Sequence, residues 1–339
     1  MIAMCGGGTG GHLVIIKAVK EQIENTPLIY IGSTKGQDRK WFEKDSDFKK
    51  SYFLETRGVV NQVFLGKIKS LYMLFKATLK AKEILKQNGA KVVFSVGGFS
   101  SAPTAFASKL LNIPLVIHEQ NAHIGSLNRL LKPYAKYFIS SYEKDSPIKD
   151  YPVSEEFFKK ARVREKLETI IFLGGSQGAV AINNLALAIA KDLNKRKIKI
   201  IHQAGERNIK EVEKRYKELG VEAEVFGFTN KMSDYITKAN FAIARAGAST
   251  LWELTANLTP TLFIPYPYAA GDHQYYNAKF LKDNGVAWVI REKDLKSDEV
   301  LDIIDSVDVE KISQKIKELE LIRPNGAKRI ARLLEDLTK

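Results

Sequence analysis

Residues 240–278 read NFAIARAGASTLWELTANLTPTLFIPYPYAAGDHQYYNA, and the order of residue types in them decides the fold. Phe241-Ala242-Ile243-Ala244 is a short apolar run that stops at Arg245-Ala246-Gly247. Ser249 and Thr250 offer hydroxyls where a helix begins, an N-cap signal. Leu262-Phe263-Ile264 is a second buried strand, ended by Pro265 and Pro267, and Asp272-His273-Gln274 opens another helix. Strand, glycine turn, helix and strand in this order make a βαβ unit of a parallel sheet. Loops leaving the carboxyl ends of such strands lie side by side and form the binding crevice. Two successive loops therefore bring Arg245, Ser249, Thr250, Glu253, Asp272, His273 and Gln274 to one rim. Glu253, about one turn inside its helix, can accept hydrogen bonds from a pair of ribose hydroxyls. The helix N-termini offer N–H groups and positive dipole to phosphate. The competing reading is an ordinary βαβ unit with polar loop tips.

The same pattern recurs on either side. Thr169–Leu173 is an apolar strand followed by Gly174-Gly175-Ser176-Gln177-Gly178-Ala179 and a helix. Residues 1–5 form a strand that runs into Gly6-Gly7-Gly8-Thr9-Gly10-Gly11-His12, then a helix from Leu13 to Ile23 and a strand at Leu28–Gly32. The two glycine loops begin 168 residues apart (174 − 6), each after a buried strand, which predicts a duplicated Rossmann-like architecture. Gly6-x-Gly8-x-x-Gly11 matches the dinucleotide fingerprint, but Gly32-Ser33-Thr34-Lys35 stands where the ribose-binding carboxylate of an NAD site belongs. That argues against NAD. Further strands are expected at 91–96, 114–117, 137–140, 199–201 and 224–226, and a helix at Asn208–Leu219. Lys293–Leu321 reads as helical, and Arg323-Pro324-Asn325-Gly326 breaks it before a final helix. Pro147 to Arg164 is polar and proline-punctuated and reads as a linker.

A chain of 339 residues suits two domains of roughly 150 residues each. No run of 18 apolar residues occurs, so no transmembrane helix is expected, and Met1-Ile2-Ala3-Met4-Cys5 does not read as a signal peptide. The single cysteine, Cys5, fits a reducing cytoplasm and core packing. The net charge of +14 calls for an acidic partner: nucleic acid, anionic lipid or a phosphorylated substrate. Arg57, Lys67, Lys69, Lys76, Lys80, Lys82, Lys86 and Lys91 face a single acid, Glu83, across one stretch. Leu65, Ile68, Leu71, Leu74, Phe75, Leu79 and Ile84 alternate with them. Residues 65–86 therefore read either as a helix lying in an anionic membrane interface or as a core-packed helix with a solvated lysine face. Aromatics do not interleave with the lysines as a single-strand stacking platform requires, so no nucleic-acid partner is expected.

Five separated motifs resemble those of the lipid I N-acetylglucosaminyltransferases, family 28 glycosyltransferases with the GT-B fold. They are Gly6–His12; Gly97-Gly98-Phe99-Ser100 through Pro103; His118-Glu119-Gln120-Asn121 with Gly125 and Asn128; Gly174–Ala179; and the opening stretch. In that stretch the signature is Arg245-x-Gly247-Ala248-x-Thr250-x-x-Glu253, Pro265-Tyr266-Pro267 and Asp272-His273-Gln274-x-x-Asn277-Ala278. The resemblance implies an α/β chain of two Rossmann-like domains with parallel sheets facing across a cleft. The implied domains are 1–153, acceptor- and membrane-binding, with helix 325–339 crossing back to it, and 154–324, binding UDP-N-acetylglucosamine (UDP-GlcNAc). It also implies transfer of GlcNAc to the 4-hydroxyl of MurNAc in undecaprenyl-diphosphate-MurNAc-pentapeptide (lipid I), giving lipid II, at the cytoplasmic face of the inner membrane.

By the same resemblance Thr9, Gly10 and Gly11 meet phosphate from the N-terminal side, and Asn121 touches the transferred sugar, with Asn128 in the same motif. Gly175, Ser176, Gln177 and Gly178 cradle the UDP phosphates, helped by Arg245 and the helix start at Ala248. Phe228-Thr229 borders uracil, Glu253 binds ribose and Gln274 holds the GlcNAc hydroxyls. Two departures stand out. The family arginine after Asn-Pro-Val at the domain junction is Ser154 in Tyr151-Pro152-Val153-Ser154, so that contact is lost or falls to Lys160, Arg162 or Arg164. Val14-Ile15-Ile16 replaces a proline after His12.

Inversion at the anomeric carbon needs one base and charge stabilisation for departing UDP. His12 suits the base by its intrinsic pKa near 6.5, and Glu119, at a strand end, is the alternative. His12 could equally bind phosphate or cap its helix, and Glu119 could orient a loop. No cofactor and no obligatory metal are expected. Asp45-Ser46-Asp47 matches the metal-binding D-x-D of another sugar-transfer fold, but lysines surround it and it reads as solvated surface. No His/Cys zinc cluster, Walker lysine or G-x-S-x-G elbow occurs. The rivals are another GT-B enzyme, a glycolipid transferase or a UDP-GlcNAc 2-epimerase, and a basic nucleic-acid-binding protein.

Overall fold

The computed structural model describes residues 1–8, 10–56, 64–175 and 178–339, those of 64–68 by their backbone alone. The chain divides into two compact units, Met1–Val153 with Asn325–Lys339, and Ser154–Pro324. The first holds β1 (Ile2–Cys5), β2 (Leu28–Ser33), β3 (Phe48–Leu54), β4 (Val92–Ser95), β5 (Leu115–Glu119) and β6 (Tyr137–Ser140). The second holds β7 (Thr169–Leu173), β8 (Lys199–Gln203), β9 (Ala223–Phe226), β10 (Phe241–Ala244), β11 (Thr261–Phe263) and β12 (Ala287–Val289). Both sheets are parallel, with orders β3-β2-β1-β4-β5-β6 and β12-β11-β10-β7-β8-β9. Counting the second sheet from its own first strand gives 3-2-1-4-5-6 again. The duplication seen in the glycine loops therefore extends to strand order, the doubly wound arrangement.

The central strands Ile2–Cys5 and Phe241–Ala244 are buried at every position. A parallel sheet covered by helices on both faces produces such unbroken apolar runs rather than alternation. Burial pushes the Cys5 thiol up to about 12, so it is inert packing. The edge strands carry weaker signals. In β3, FKKSYFL, only the two ends are buried, and β12 is three half-buried residues. Lysines on an edge blunt it against further pairing, and they also hide it from a hydrophobic pattern.

Several expectations need correction. The presumed linker does hold the division between the two units, but it is partly packed: Tyr151, Val153, Phe157 and Arg164 in it are buried, and Glu155–Lys159 is helical. Within the second unit the Arg164 guanidinium donates to the carbonyls of Arg162, Ile236, Ala239 and Asn257 and to Asn257 Oδ1. Burial pushes its pKa down to about 9, which leaves it charged at neutrality. The helical stretch 293–321 is two helices, Ser297–Ser306 and Val309–Leu319, the second capped by Asp308, which accepts the Lys311 N–H at 2.9 Å. Asp45-Ser46-Asp47 is not simply solvated, because the buried Lys20 ammonium pairs with both carboxylates. Ser249 and Thr250 do not cap their helix: Ala248–Ala256 starts earlier, with extended Gly247 at the cap and no side-chain cap bond.

The last helix, Gly326–Asp336, belongs to the first unit and buries Ala327, Ile330, Ala331 and Leu334. Its Gly326 is required by space, since a Cβ there would lie 2.6 Å from the Asp150 carbonyl oxygen. Arg329 pairs with the Asp150 carboxylate on the same side.

Candidate active site

In both sheets the strand order reverses at the centre, between β1 and β4 and between β7 and β10. Ligands of doubly wound sheets bind outside the carboxyl ends at such switch points. The glycine loops leave β1 and β7, and residues 97–101 and 245–247 leave β4 and β10. Each unit thus places its signature loops at its own switch point. Thr9, Ser176 and Gln177 lie outside the described residues, as do Arg57 and the side chains of Leu65, Lys67 and Ile68.

In the first unit the loop after β1 is held from two sides. Gly6, Gly7 and Gly8 have φ of +127°, +155° and +84°. Gly98 faces them: a Cβ there would lie 2.8 Å from the Gly7 carbonyl oxygen and 3.6 Å from His12 Nε2. The His12 ring, in the first turn of helix Gly10–Lys20, therefore lies against the loop after β4. On the other side is Asp38, which follows β2 and accepts the Gly8 N–H at 2.7 Å.

Glu119 ends β5 and is buried, with its carboxylate occupied. Oε1 accepts the Asn121 N–H at 3.0 Å, and Oε2 accepts the Gly125 N–H and Asn128 Nδ2, both at 2.9 Å. The carboxylate thereby ties the 121–125 loop to helix Ser126–Leu131. Two buried acceptors beside it, Gln120 Oε1 and Asn128 Oδ1, have no partner among the described residues. A Cβ at Gly11 would sit 3.9 Å from Gln120 Oε1, and one at Gly97 would sit 2.9 Å from Asn128 Nδ2. His118 is fully buried, edge-on to Tyr151, and burial, aided by the charge of His12, holds its pKa down at about 3. It is therefore a neutral ring at physiological pH.

In the second unit Gly175 and Gly178 turn with φ of +79° and +78°. Gly178 packs on the loop after β8, where a Cβ would come 2.5 Å from the Ala204 carbonyl oxygen. Asn183, from helix Val180–Lys195, donates to that carbonyl at 3.1 Å and accepts at Oδ1 from buried His202, 3.0 Å away. Tyr216 completes the chain at His202 Nδ1, 3.0 Å away. None of Asn183, His202 and Tyr216 stood out in the sequence, because a polar residue in a core registers only once its partners are known.

The rim expected from Arg245 to Gln274 forms, with a changed division of labour. Arg245 directs its guanidinium to the protein, donating to the carbonyls of Ile264 and Pro265 at 3.0 and 3.1 Å and pairing with Glu292. Gln274 Oε1 accepts from Ala246 N at 3.2 Å and Tyr266 N at 3.0 Å, and Asn277 Nδ2 donates to the Ala246 carbonyl at 3.3 Å. These two side chains of helix His273–Asp283 clamp the loop after β10. Asp272, in the left-handed region, pairs with Arg291 at 2.7 Å. Thr229 accepts the Lys231 N–H at 3.0 Å in an exposed turn beside exposed Phe228. Lys160, Arg162 and Arg164, the stand-ins for the family arginine, all bond within this unit: Lys160 to Ser233 and Asp234, Arg162 to the carbonyls of Thr237 and Ala239.

Glu253 is the exception. It is half-buried, no donor among the described residues reaches its carboxylate, and burial pushes its pKa up to about 7. A carboxylate desolvated without a donor is destabilising and fits a site whose hydrogen bonds arrive with a ligand.

The glycosyltransferase family 28 N-terminal domain matches residues 2–139, and the family 28 C-terminal domain matches residues 169–333. The chain belongs to glycosyltransferase family 28. It is a glycosyltransferase with the GT-B fold. A protein of Sulfurovum sp. (strain NBC37-1) is 61% identical over 338 residues, covering 100% of this chain and 99% of that one. Its name is UDP-N-acetylglucosamine–N-acetylmuramyl-(pentapeptide) pyrophosphoryl-undecaprenol N-acetylglucosamine transferase. The crystal structure of Acinetobacter baumannii MurG superposes with a TM-score of 0.82 at 25% identity over 99% of both chains. A putative UDP-N-acetylglucosamine 2-epimerase of Listeria monocytogenes shares the fold alone, with a TM-score of 0.64 at 11% identity over 99% of this chain and 95% of that one.

Proposed function

We propose that this family 28 enzyme carries out the reaction its relatives are named for, inverting transfer of GlcNAc from UDP-GlcNAc to the MurNAc 4-hydroxyl of lipid I, and that its two units divide the substrates. The observation that carries the reading is Glu253: a half-buried carboxylate with no donor, one turn into the helix at the β10 switch point. Two ribose hydroxyls satisfy it. Main-chain N–H groups of the glycine loop after β7 not already used (those of Gly174 and Gly178 donate to the Gln203 and Gly175 carbonyls) and of the first turn of helix Ala248–Ala256 receive the diphosphate. Gln274, its oxygen already engaged, turns its amide N–H groups to the GlcNAc hydroxyls. Arg245 supports this by holding the loop at Ile264 and Pro265 rather than by touching phosphate.

On the acceptor side, Gly10 and Gly11 open a helix toward the lipid diphosphate, and Asn121 and Asn128 flank the sugar. His12 is the base and Glu119 the orienting group, because three N–H donors already engage the Glu119 carboxylate. As UDP leaves, its charge is stabilised by amide dipoles rather than by a bound cation.

The enzyme works at an anionic membrane surface. Among the described residues no helix is long and apolar enough to cross a membrane. Helix Phe64–Gln87 instead exposes Leu71, Phe75 and Leu79, at successive i+4 positions, and Tyr72, at 54, 63, 43 and 67%. Lys69, Lys76, Lys80 and Lys86 are exposed on the same helix, while Ala77, Ala81, Ile84 and Leu85 pack inward. An apolar stripe between lysines suits shallow insertion among anionic headgroups. UDP release measured with and without a short-chain lipid I analogue, each in the presence and absence of EDTA, tests the whole reading. Release that needs the analogue and ignores EDTA is expected; conversion of UDP-GlcNAc alone to UDP-ManNAc would replace the reading with an epimerase.

A further inference from the structure

We propose that Asp38 is a positioning residue for the reaction: its buried carboxylate fixes the Gly6-Gly7-Gly8 turn from behind and so sets where the first amides of helix Gly10–Lys20 meet acceptor phosphate. The proposal rests on the reading of that loop as the acceptor side. The chain leaves β2 at Ser33, turns at Gly36 with φ of +85°, and brings Asp38, 0% exposed, under the loop from β1. Oδ2 accepts the Gly8 N–H at 2.7 Å, and Oδ1 accepts the Ser33 N–H and the Tyr30 hydroxyl, both at 3.0 Å. The Gly6 carbonyl, 2.8 Å from that hydroxyl, is a second acceptor for its one proton.

The contact is close on every side. A Cβ at Gly7 would come within 2.4 Å of the Asp38 carboxylate, and one at Gly36 within 2.7 Å of the Gly8 α-carbon. Three successive glycines at positive φ form a turn that glycine permits but does not enforce, since it loses more backbone freedom than any other residue. A charge-assisted bond from an ionised carboxylate to a main-chain N–H is strong enough to select one conformer. The Gly8 amide is thereby used from beneath, which leaves the amides of the helix's first turn for substrate. Asp38 lies five residues past the strand end where a dinucleotide site keeps its carboxylate, and it points at main chain rather than at a ribose.

Asp38→Asn separates the two jobs of the side chain. Its amide oxygen keeps the two donors at Ser33 and Tyr30, and its NH2 then faces the Gly8 N–H. We expect the KM for a short-chain lipid I analogue to rise about tenfold or more while UDP affinity stays within about twofold. Tyr30→Phe leaves the Gly8 bond in place and changes the acceptor KM by less than about threefold. An unchanged acceptor KM in D38N, or a matching loss of UDP affinity, overturns the proposal in favour of a structural carboxylate. Gly11→Ala, whose Cβ meets nothing nearer than Gln120 Oε1 at 3.9 Å, separates the two ideas. If G11A raises the acceptor KM and D38N does not, Asp38 alone is misassigned; if neither does, the acceptor reading of the loop goes with it. Should D38N not fold, hydrogen exchange on the wild-type enzyme decides: a slow Gly8 amide supports the anchor, and a fast one removes it.

Discussion

Asn128 donates from Nδ2 to Glu119 Oε2 at 2.9 Å, across a loop whose Gly125 N–H shares the same oxygen. The pair couples a strand end to the next helix and makes the carboxylate an organiser of the 121–125 loop, proposed above to face the acceptor. Glu119→Gln replaces an acceptor with a donor facing N–H groups. We expect kcat to fall about 10- to 100-fold, consistent with loss of one to three kcal/mol of hydrogen bonding. The acid limb of the kcat/KM pH profile should persist in the variant if the base is His12, as proposed. Disappearance of that limb in E119Q would hand the base role to Glu119.

Donor binding should depend on pH through Glu253. Its carboxyl titrates near 7 in the free enzyme, and ribose hydroxyls donating to it favour the ionised form. Affinity for UDP is therefore higher above pH 7 and declines as the group protonates, by about tenfold between pH 8 and pH 6. Glu253→Gln should flatten this dependence, and Glu253→Ala should raise the donor KM by about 10- to 100-fold. Calorimetric titration with UDP across this range checks both. Parallel profiles for wild type and E253Q would take Glu253 out of the donor site.

The same carboxyl makes a stability prediction of opposite sense. Its folded pKa of about 7 exceeds the unfolded value of about 4.3. The native state thus holds the proton over an interval where the unfolded chain has lost it. Ionising Glu253 costs stability progressively as pH rises from about 4 to 7, and the full cost is present above 7. E253Q should raise the unfolding free energy at pH 8 by about 1–2 kcal/mol after allowing for partial exposure, seen as a higher Tm, and leave stability unchanged at pH 4. Thermal melts at the two pH values decide it, and a variant less stable at pH 8 contradicts the desolvated-carboxylate picture.

Membrane association should reside in the exposed stripe of helix Phe64–Gln87. Replacing Leu71, Phe75 and Leu79 together with Ser removes apolar area without disturbing Ala77, Ala81, Ile84 or Leu85, which face the core. Sedimentation with anionic vesicles should drop severalfold, with UDP affinity and melting temperature retained, and raised salt should weaken the wild type through its lysines. Equal sedimentation of both proteins would leave the stripe without this role.

The residue pattern by itself determined the doubly wound architecture, the two glycine loops and the rim carrying Glu253, since buried parallel strands and glycine turns are local signals. It also carried the family motifs, which lie in contiguous stretches. Tertiary structure decided the rest. Edge strands β3 and β12 escaped notice because half-exposed strands lose the hydrophobic run. The junction at 147–164 does hold the division between the two units, yet its buried part was not legible, because Arg164 looks polar until five acceptors are seen around it. Arg245 and Gln274 stand at the expected positions, yet the direction of a guanidinium or an amide oxygen depends on carbonyls and N–H groups brought up by other loops. Asp38 was invisible for the same reason: its meaning lies in the Gly8 amide, thirty residues away in the chain and 2.7 Å away in space.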